Sequence, residues 1–392
     1  MKLPFLYTAC LIFCLSISTT IGQEVQVSDN NQLRQALREA GPGTTIVVKK
    51  GDYQSGLFAE ALRGTAEKPI TIRAADAAHR PVFRGGNSGW HLSSVSHLVI
   101  DGLVIEGARG NGLNIDDGGG KGGGSHHIIL RNIEVRDIGT MGGNLDGIKL
   151  SGLDDFQVER CRVVNWGSSG SGIDMVGCHG GIIRECNFKA TGENQGTGVQ
   201  AKGGSARLAV RGCRFENAGS RAVNIGGSTG LPYFRPTDAA YEAKDIEVSD
   251  SVFIGSHAPV VFVGVDGAKV SGNTIYNPGK YVVRILQESR DARFVPCRGG
   301  IFENNLVVYD PARVSMSTNV GQGTEPKTFL FRGNAWASMT GRGRIRHEIP
   351  VTNDKTLARV AFENEATGDL RLKSVLQGSM AGARNEWALQ GK

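Results

Sequence analysis

The chain has 392 residues, including 56 glycines and only 12 prolines, and carries a formal net charge of +6. Glycines spread along the whole chain suit many tight turns and disfavour long helices. No long run of lysine or arginine carries the positive charge, which excludes a nucleic-acid signature but suits an acidic polymer as partner.

The first 22 residues have the organisation of a secretory signal peptide. Lys2 supplies the positive charge, the segment from Leu3 to Ile17 is almost wholly apolar, and small residues precede a cleavage position before Gln23. Elsewhere no stretch approaches the roughly 20 apolar residues of a membrane span. The sequence therefore predicts a secreted or periplasmic protein with no membrane partner.

A short amphipathic helix is predicted next, within residues 30–41. Leu33, Ala36 and Leu37 recur at helical spacing, with Asn30 or Asn31 as the N-cap. Such a helix would cover the apolar end of the repeats that follow.

Two kinds of β-rich phrase then alternate along the chain. The first places small polar or thiol residues in one turn column, consisting of Asn132, Cys161, Cys186, Cys213, Ser251, Asn273 and Asn305. The second, as in DGIKLSG (146–152) and SGIDMVG (171–177), turns its third and fifth residues inward and its fourth outward. Successive copies start at 146, 171, 197 and 221, which predicts one solenoid turn per repeat.

This periodicity predicts an all-β fold, a right-handed parallel β-helix with three sheets and a short N-terminal capping helix. Residues 23–392 are expected to form a single domain, in which 311–392 are less regular terminal coils and a cap. A monomer is expected. The insertion STGLPYFRPTDAAYEAKD (228–245) is placed on a binding face, where solenoid insertions cluster.

Five cysteines remain beyond the signal peptide, an odd number that predicts no disulfide framework. Cys161, Cys186 and Cys213 are interpreted as stacked, reduced thiols in the turn column. A disulfide between adjacent turns is the alternative, because the strand spacing of about 4.8 Å permits one.

The opening QLRQALREAGPGTTIVVKKGDY, with KPITIRAAD and HLVIDGLVIEG, resembles the N-terminal coils of the pectate-lyase-like superfamily. The resemblance is nearest to the polysaccharide lyase family that contains chondroitinase B and alginate lyases, and it covers residues 24–309 in pattern. It implies cleavage of an acidic, uronate-containing polysaccharide by β-elimination. In that reaction a base removes the proton beside a carboxylate that a cation neutralises.

The outward fourth positions provide a polar stripe of Asn114, Lys149, Asp174, Gln200 and Asn224, before Val261 and Val283 make it apolar. Lys202 and Arg221 flank Gln200 and Asn224 from opposite sides. The resemblance suggests Lys202 as catalytic base and Arg221 as carboxylate partner or acid. The stripe residues Lys149, Asp174, Gln200 and Asn224 are expected to bind substrate, and Tyr233 and Arg235 join them if the insertion folds back. A surface ion pair is the alternative role of Lys149 and Asp174.

The sequence does not decide whether the protein requires a metal ion such as Ca²⁺. Glutamates of the resembled family bind Ca²⁺ on the strand of the base, whereas Gln195–Gln200 contains no carboxylate. Asp146 and Asp174 stand three positions apart along neighbouring strands, which is too far for an obvious shared metal ion.

Three further interpretations remain. Asn144-Leu145-Asp146-Gly147 resembles a polygalacturonase motif, so a hydrolase using Asp146 and Asp174 is one alternative. A C5-epimerase and a non-catalytic carbohydrate-binding β-helix are the others. His126 and His127 are interpreted as surface residues at the start of a strand.

Overall fold

A computed structural model describes residues 22–120, 123–139, 143–192, 194–374, 376 and 381–390. The predicted signal peptide (1–22) therefore lies outside the described residues apart from Gly22. No helix in these ranges is both long and apolar enough to cross a membrane.

The described strands form three parallel sheets that run the length of the molecule. Sheet A contains the strands Glu24–Val27, Thr45–Val48, Ile70–Ala74, Ser96–Asp101, Ser125–Arg131, Leu153–Glu159, His179–Arg184, Ser205–Arg211, Ala243–Ser249, Val265–Ser271, Arg298–Glu303, Leu330–Arg332 and Val351–Thr352. Sheet B contains Asp52–Gln54, Val82–Arg84, Val104–Glu106, Glu134–Arg136, Arg162–Val164, Asn187–Lys189, Arg214–Glu216, Val252–Ile254, Thr274–Tyr276, Leu306–Tyr309, Ala335–Ser338 and Lys355–Leu357. Sheet C contains Leu57–Glu60, Trp90–Ser93, Leu113–Asp116, Ile148–Ser151, Ser171–Val176, Thr197–Lys202, Arg221–Gly226, Ala258–Val263, Val283–Leu286 and Thr318–Val320.

The chain visits the three sheets in turn, so each circuit stacks on the previous one as a rung of a right-handed parallel β-helix. The predicted fold is confirmed. An antiparallel pair, Phe362–Asn364 with Asp369–Leu372, and a short helix, Glu386–Gln390, follow the last rung. Inward side chains from all three sheets fill one continuous apolar core, which includes Ile148, Ile173 and Val199 from sheet C.

The predicted N-terminal helix spans Asn30–Glu39 and buries Leu33, Ala36 and Leu37. Its N-cap, however, is Asp29, whose carboxylate accepts a hydrogen bond from the Gln32 amide at 2.9 Å. The prediction of Asn30 or Asn31 as the cap was wrong, because the Asn30 side chain instead bonds the backbone of Gln54.

The turn column forms a buried ladder between sheets A and B. The backbone amide of Cys161 donates a hydrogen bond to the Cys186 sulfur. Farther along, the backbone amides of Asn273 and Asn305 donate to the asparagine side chains of the next rung, both at 3.0 Å. All five described cysteines are reduced and buried, so the disulfide alternative is not adopted. Asn132 does not belong to this column: Glu134 pairs with Arg162, which puts Ile133 opposite Cys161.

Candidate functional site

The outer face of sheet C carries the predicted polar stripe in register. Asn114, Lys149, Asp174, Gln200 and Asn224 pair one after another across five adjacent strands. Each strand alternates inward and outward residues, so these side chains share the outer face.

Beyond Asn224, the residues at the outward position differ in part from those predicted. Val261 pairs with Arg284, so the fourth position of the next rung is Arg284 and the prediction of Val283 there was wrong. The strand is shifted by one residue, which turns Val283 into the core and Arg284 outward. The site therefore gains a cation that the sequence reading missed.

Two lysines and two aspartates form a charged cluster at and beside the stripe. The Lys149 ammonium donates a short hydrogen bond to Asp174 and lies 3.5 Å from the Asp146 carboxylate. The Lys202 ammonium lies 3.3 Å from the other Asp174 oxygen, although that oxygen accepts no hydrogen bond of good geometry. Asp174 is only 1% exposed, so its pairing with Lys149 is not at the surface. The two aspartates, distant along their strands, thus share one ammonium.

The local electrostatics follow from this burial. Burial and then the negative charge of Asp174 raise the pKa of Asp146 to about 6. Burial alone would lower the pKa of Lys149, but the two carboxylates outweigh it and raise that pKa. Lys202, by contrast, lies close to Asp174 alone of the two carboxylates.

Arg221 approaches the stripe from the opposite end of its strands. Its guanidinium donates to the Asn224 side chain at 3.2 Å and to Glu288 at 2.7 Å. Lys202 meets the Gln200 side chain at 3.4 Å from the other end. Lys202 and Arg221 thus flank Gln200 and Asn224 from opposite ends, as predicted. Their catalytic roles remain a prediction.

Arg284 adds a second guanidinium beside Arg221. Burial, and next the positive charge of Arg221, lower the pKa of Arg284. The neighbourhood contains four cationic side chains and three carboxyl groups: Lys149, Lys202, Arg221, Arg284, Asp146, Asp174 and Glu288. A further carboxylate from a ligand would therefore be electrostatically favourable here.

The insertion after Gly226 does fold back over the end of the Lys202 strand. The amide of Arg235 donates to the carbonyl of Gly203 at 3.0 Å. Fully buried Glu242 fixes the start of the insertion by accepting from the amides of Gly203 and Thr229, both at 2.9 Å. Tyr233 lies in this segment with 72% of its surface exposed.

Arg235 serves as an anchor of the insertion. Its guanidinium forms a short ion pair with Asp154 and donates to the carbonyl of Gly177 at 3.0 Å. Its polar contacts therefore lie toward sheet A, while Tyr233 and Leu231 are exposed.

At the other end of sheet C the stripe ends in an aromatic pair. Phe58, which is 57% exposed, packs edge-on against His91 at a centroid distance of 5.1 Å. His91 and Ser93 contact Asp116 at 2.5 and 2.6 Å. These hydrogen bonds outweigh the effect of burial and lower the pKa of Asp116. Exposed ring faces of this kind suit the apolar face of a sugar.

The described carboxylates of the stripe do not fit a calcium site of the family type. Ca²⁺ takes roughly six to eight oxygen ligands. Asp146 and Asp174 instead contact Lys149, and Asp146 also accepts from the Ser171 amide at 2.8 Å. In this part of the chain, ammonium groups stand where a divalent cation would need free carboxylate oxygens.

Comparisons with known proteins agree with this fold. The model of the right-handed β-helix region matches residues 79–239, and that of chondroitinase B matches residues 27–116. No curated protein matches the chain.

Solved structures add three likenesses. An alginate lyase from Paenibacillus sp. str. FPU-7 is 20% identical and has a TM-score of 0.50, with 77% of this chain and 98% of that chain covered. A rhamnogalacturonan lyase is 13% identical, with a TM-score of 0.56 over 91% of this chain and 96% of that chain. A glycoside hydrolase is 10% identical, with a TM-score of 0.51 over 93% of this chain and 99% of that chain.

These findings confirm the resemblance to the pectate-lyase-like β-helices and, at such identities, show the fold. Because one scaffold hosts several chemistries, activity has to be argued from the site.

Proposed function

We propose that this β-helix is an exported polysaccharide lyase, which cleaves a uronate-containing polysaccharide by β-elimination on the outer face of sheet C. The observation that carries the proposal is the placement of Lys202 and Arg221 at opposite ends of adjacent strands, each reaching toward the Gln200 and Asn224 pair. Export rests on the predicted signal peptide, and the likeness to lyases supports the reaction type.

The reaction places one uronate unit over Gln200, between Lys202 and Arg221. Arg221 neutralises the sugar carboxylate and so acidifies the neighbouring C5–H bond, while Arg284 beside it contributes to binding the acidic unit. Lys202, as the neutral amine, takes the C5 proton. The C5–H electrons form the C4–C5 double bond, the C4–O bond breaks, and the leaving oxygen is protonated from water.

The remaining stripe residues position this pair. Asp174 and Asn224 are each 1% exposed, so they act by orienting Lys202 and Arg221 rather than by offering surface to the sugar. Lys149 neutralises part of the negative charge of Asp174 through their ion pair. Tyr233 and the aromatic pair at Phe58 provide exposed rings along the path of the polymer.

A hydrolase that uses Asp146 and Asp174 is the alternative that the structure makes less favourable. Inverting hydrolysis needs a water and the scissile bond between two carboxyl groups about 6.5–9.5 Å apart. Here the Lys149 ammonium contacts both carboxylates and occupies that space.

The decisive assay follows ultraviolet absorbance on alginate, pectate, chondroitin and dermatan sulfate, with Ca²⁺ or with a chelator. Elimination produces a double bond conjugated to the carboxylate, so absorbance rises on the true substrate. New reducing ends without absorbance would indicate a hydrolase. Flat traces with polymer binding retained would indicate a binding β-helix. Loss of the signal with chelator would contradict the absence of a calcium requirement.

Variants then test the roles. Lys202→Gln should lower kcat by roughly 10²- to 10⁴-fold while polymer binding stays within a few-fold, as for loss of a general base. Lys269→Gln, an exposed lysine of sheet A paired with Glu303, is the matched control and should keep full activity. A graded loss of affinity in Lys202→Gln, with unchanged kcat, would refute the role of base.

A further inference from the structure

A cluster of three histidines lies on sheet A, away from the proposed catalytic face. One ligand nitrogen from each of His97, His126 and His127 falls within 4.8 Å of the other two. The Nδ1 atoms of His126 and His127 are 2.8 Å apart. The rings of His97 and His127 stack at 4.6 Å, and His126 stands edge-on to both.

An interruption of the strand pairing aims these rings outward. His126 pairs with Ser96, and Ile128 with Leu98, which leaves His97 and His127 opposite each other. Both have left-handed backbone conformations, with φ of +47° and +55°. Such a conformation is uncommon for a residue with a Cβ. The left-handed conformation at this pair therefore presents imidazoles from two successive rungs side by side.

We propose that His97, His126 and His127 form a binding site for a divalent transition-metal ion of the Zn²⁺ class. Neutral imidazole is a preferred ligand of such ions, with metal–nitrogen bonds of about 2.0–2.1 Å. Tetrahedral geometry then requires nitrogen separations of about 3.4 Å, so small ring rotations convert the present arrangement into three ligands on one ion. The fourth position is left for water.

The surroundings contain charges of both signs. Arg63 opposes a cation, whereas Asp154, paired with His126 on the next strand, favours one. Bound metal would tie together the strands Ser96–Asp101 and Ser125–Arg131 and so act as a clamp between rungs.

The test uses full-length protein without a polyhistidine tag, stripped with a chelator and desalted. Zn²⁺ is titrated by calorimetry, and Co²⁺ is followed by its visible ligand-field bands. We expect one equivalent of Zn²⁺, a rise in melting temperature on binding, and Co²⁺ bands of tetrahedral intensity. His127→Gln and His97→Gln should each weaken binding by roughly tenfold or more, as expected for a lost ligand.

His79→Gln, which changes an exposed histidine paired with Asp76, is the control and should bind Zn²⁺ like the wild type. Absence of saturable binding to the wild type would overturn the proposal, as would equal binding by the His127→Gln variant. His127 is exposed, so its replacement removes no buried packing, and its variant decides even if His97→Gln is unstable. These readouts do not depend on lyase activity.

Discussion

The buried Asp146 carboxyl should make the stability of the protein depend on pH in an unusual direction. Its pKa is raised from the ordinary 3.8 to about 6 by burial and by the charge of Asp174. The folded state thus binds the proton more tightly than the unfolded chain. The resulting stabilisation is complete below pH 3.8 and is lost as pH rises through about 6. The difference between the two pKa values corresponds to about 3 kcal/mol.

Urea unfolding of wild type and Asp146→Asn, measured across this pH range, isolates the contribution of that carboxyl. The wild-type advantage over Asp146→Asn should fall by about 3 kcal/mol between acid and neutral pH. Asp154→Asn is the control, because the stability contribution of Asp154 should change with pH in the opposite direction. Although burial raises the pKa of Asp154, Arg235 and His179 outweigh it and lower that pKa, so its contribution should grow with pH. A wild-type advantage over Asp146→Asn that is flat or rising with pH would refute the reasoning.

Three more predictions concern the ladder, the thiols and the cationic flank. Asn305→Ala removes a buried side chain that forms hydrogen bonds with the rungs on both sides, including one with Asn334. The free energy of unfolding, measured in urea, should fall by about 2–4 kcal/mol. A loss under about 0.5 kcal/mol would contradict a stabilising role of the ladder. The five described cysteines should resist a thiol reagent in the native protein and react with it in urea. They are buried, and burial raises the pKa of Cys178, for example, to about 12. Rapid labelling of the native protein would contradict this prediction. Arg284→Gln should raise KM on the acidic polymer and leave kcat unchanged, and steady-state kinetics showing the reverse split would place Arg284 in the chemical step instead.

Much of the fold could be read from local pattern. A side chain on a β-strand points inward or outward according to its place in a two-residue period, so Ile173 and Asp174 could be assigned to opposite faces before any coordinates were known. The repeat length aligned Lys149, Asp174 and Gln200 as neighbours, and the pairing bears this out. Register was misassigned at Asn132 and at Arg284. At Arg284, two adjacent apolar residues made a one-residue shift invisible to the pattern.

The amino-acid sequence by itself therefore determined the solenoid, the inward and outward faces and the row of side chains on sheet C. Only the tertiary structure decided which charges meet. Asp154 and Arg235 pair across 81 residues, and Asp146 joins Asp174 through one ammonium. The histidines of two rungs cluster because left-handed residues in neighbouring strands, His97 and His127, lie opposite each other. Periodicity is a property of each strand alone, whereas ion pairs, burial and ligand clusters depend on how separate strands and the insertion pack together.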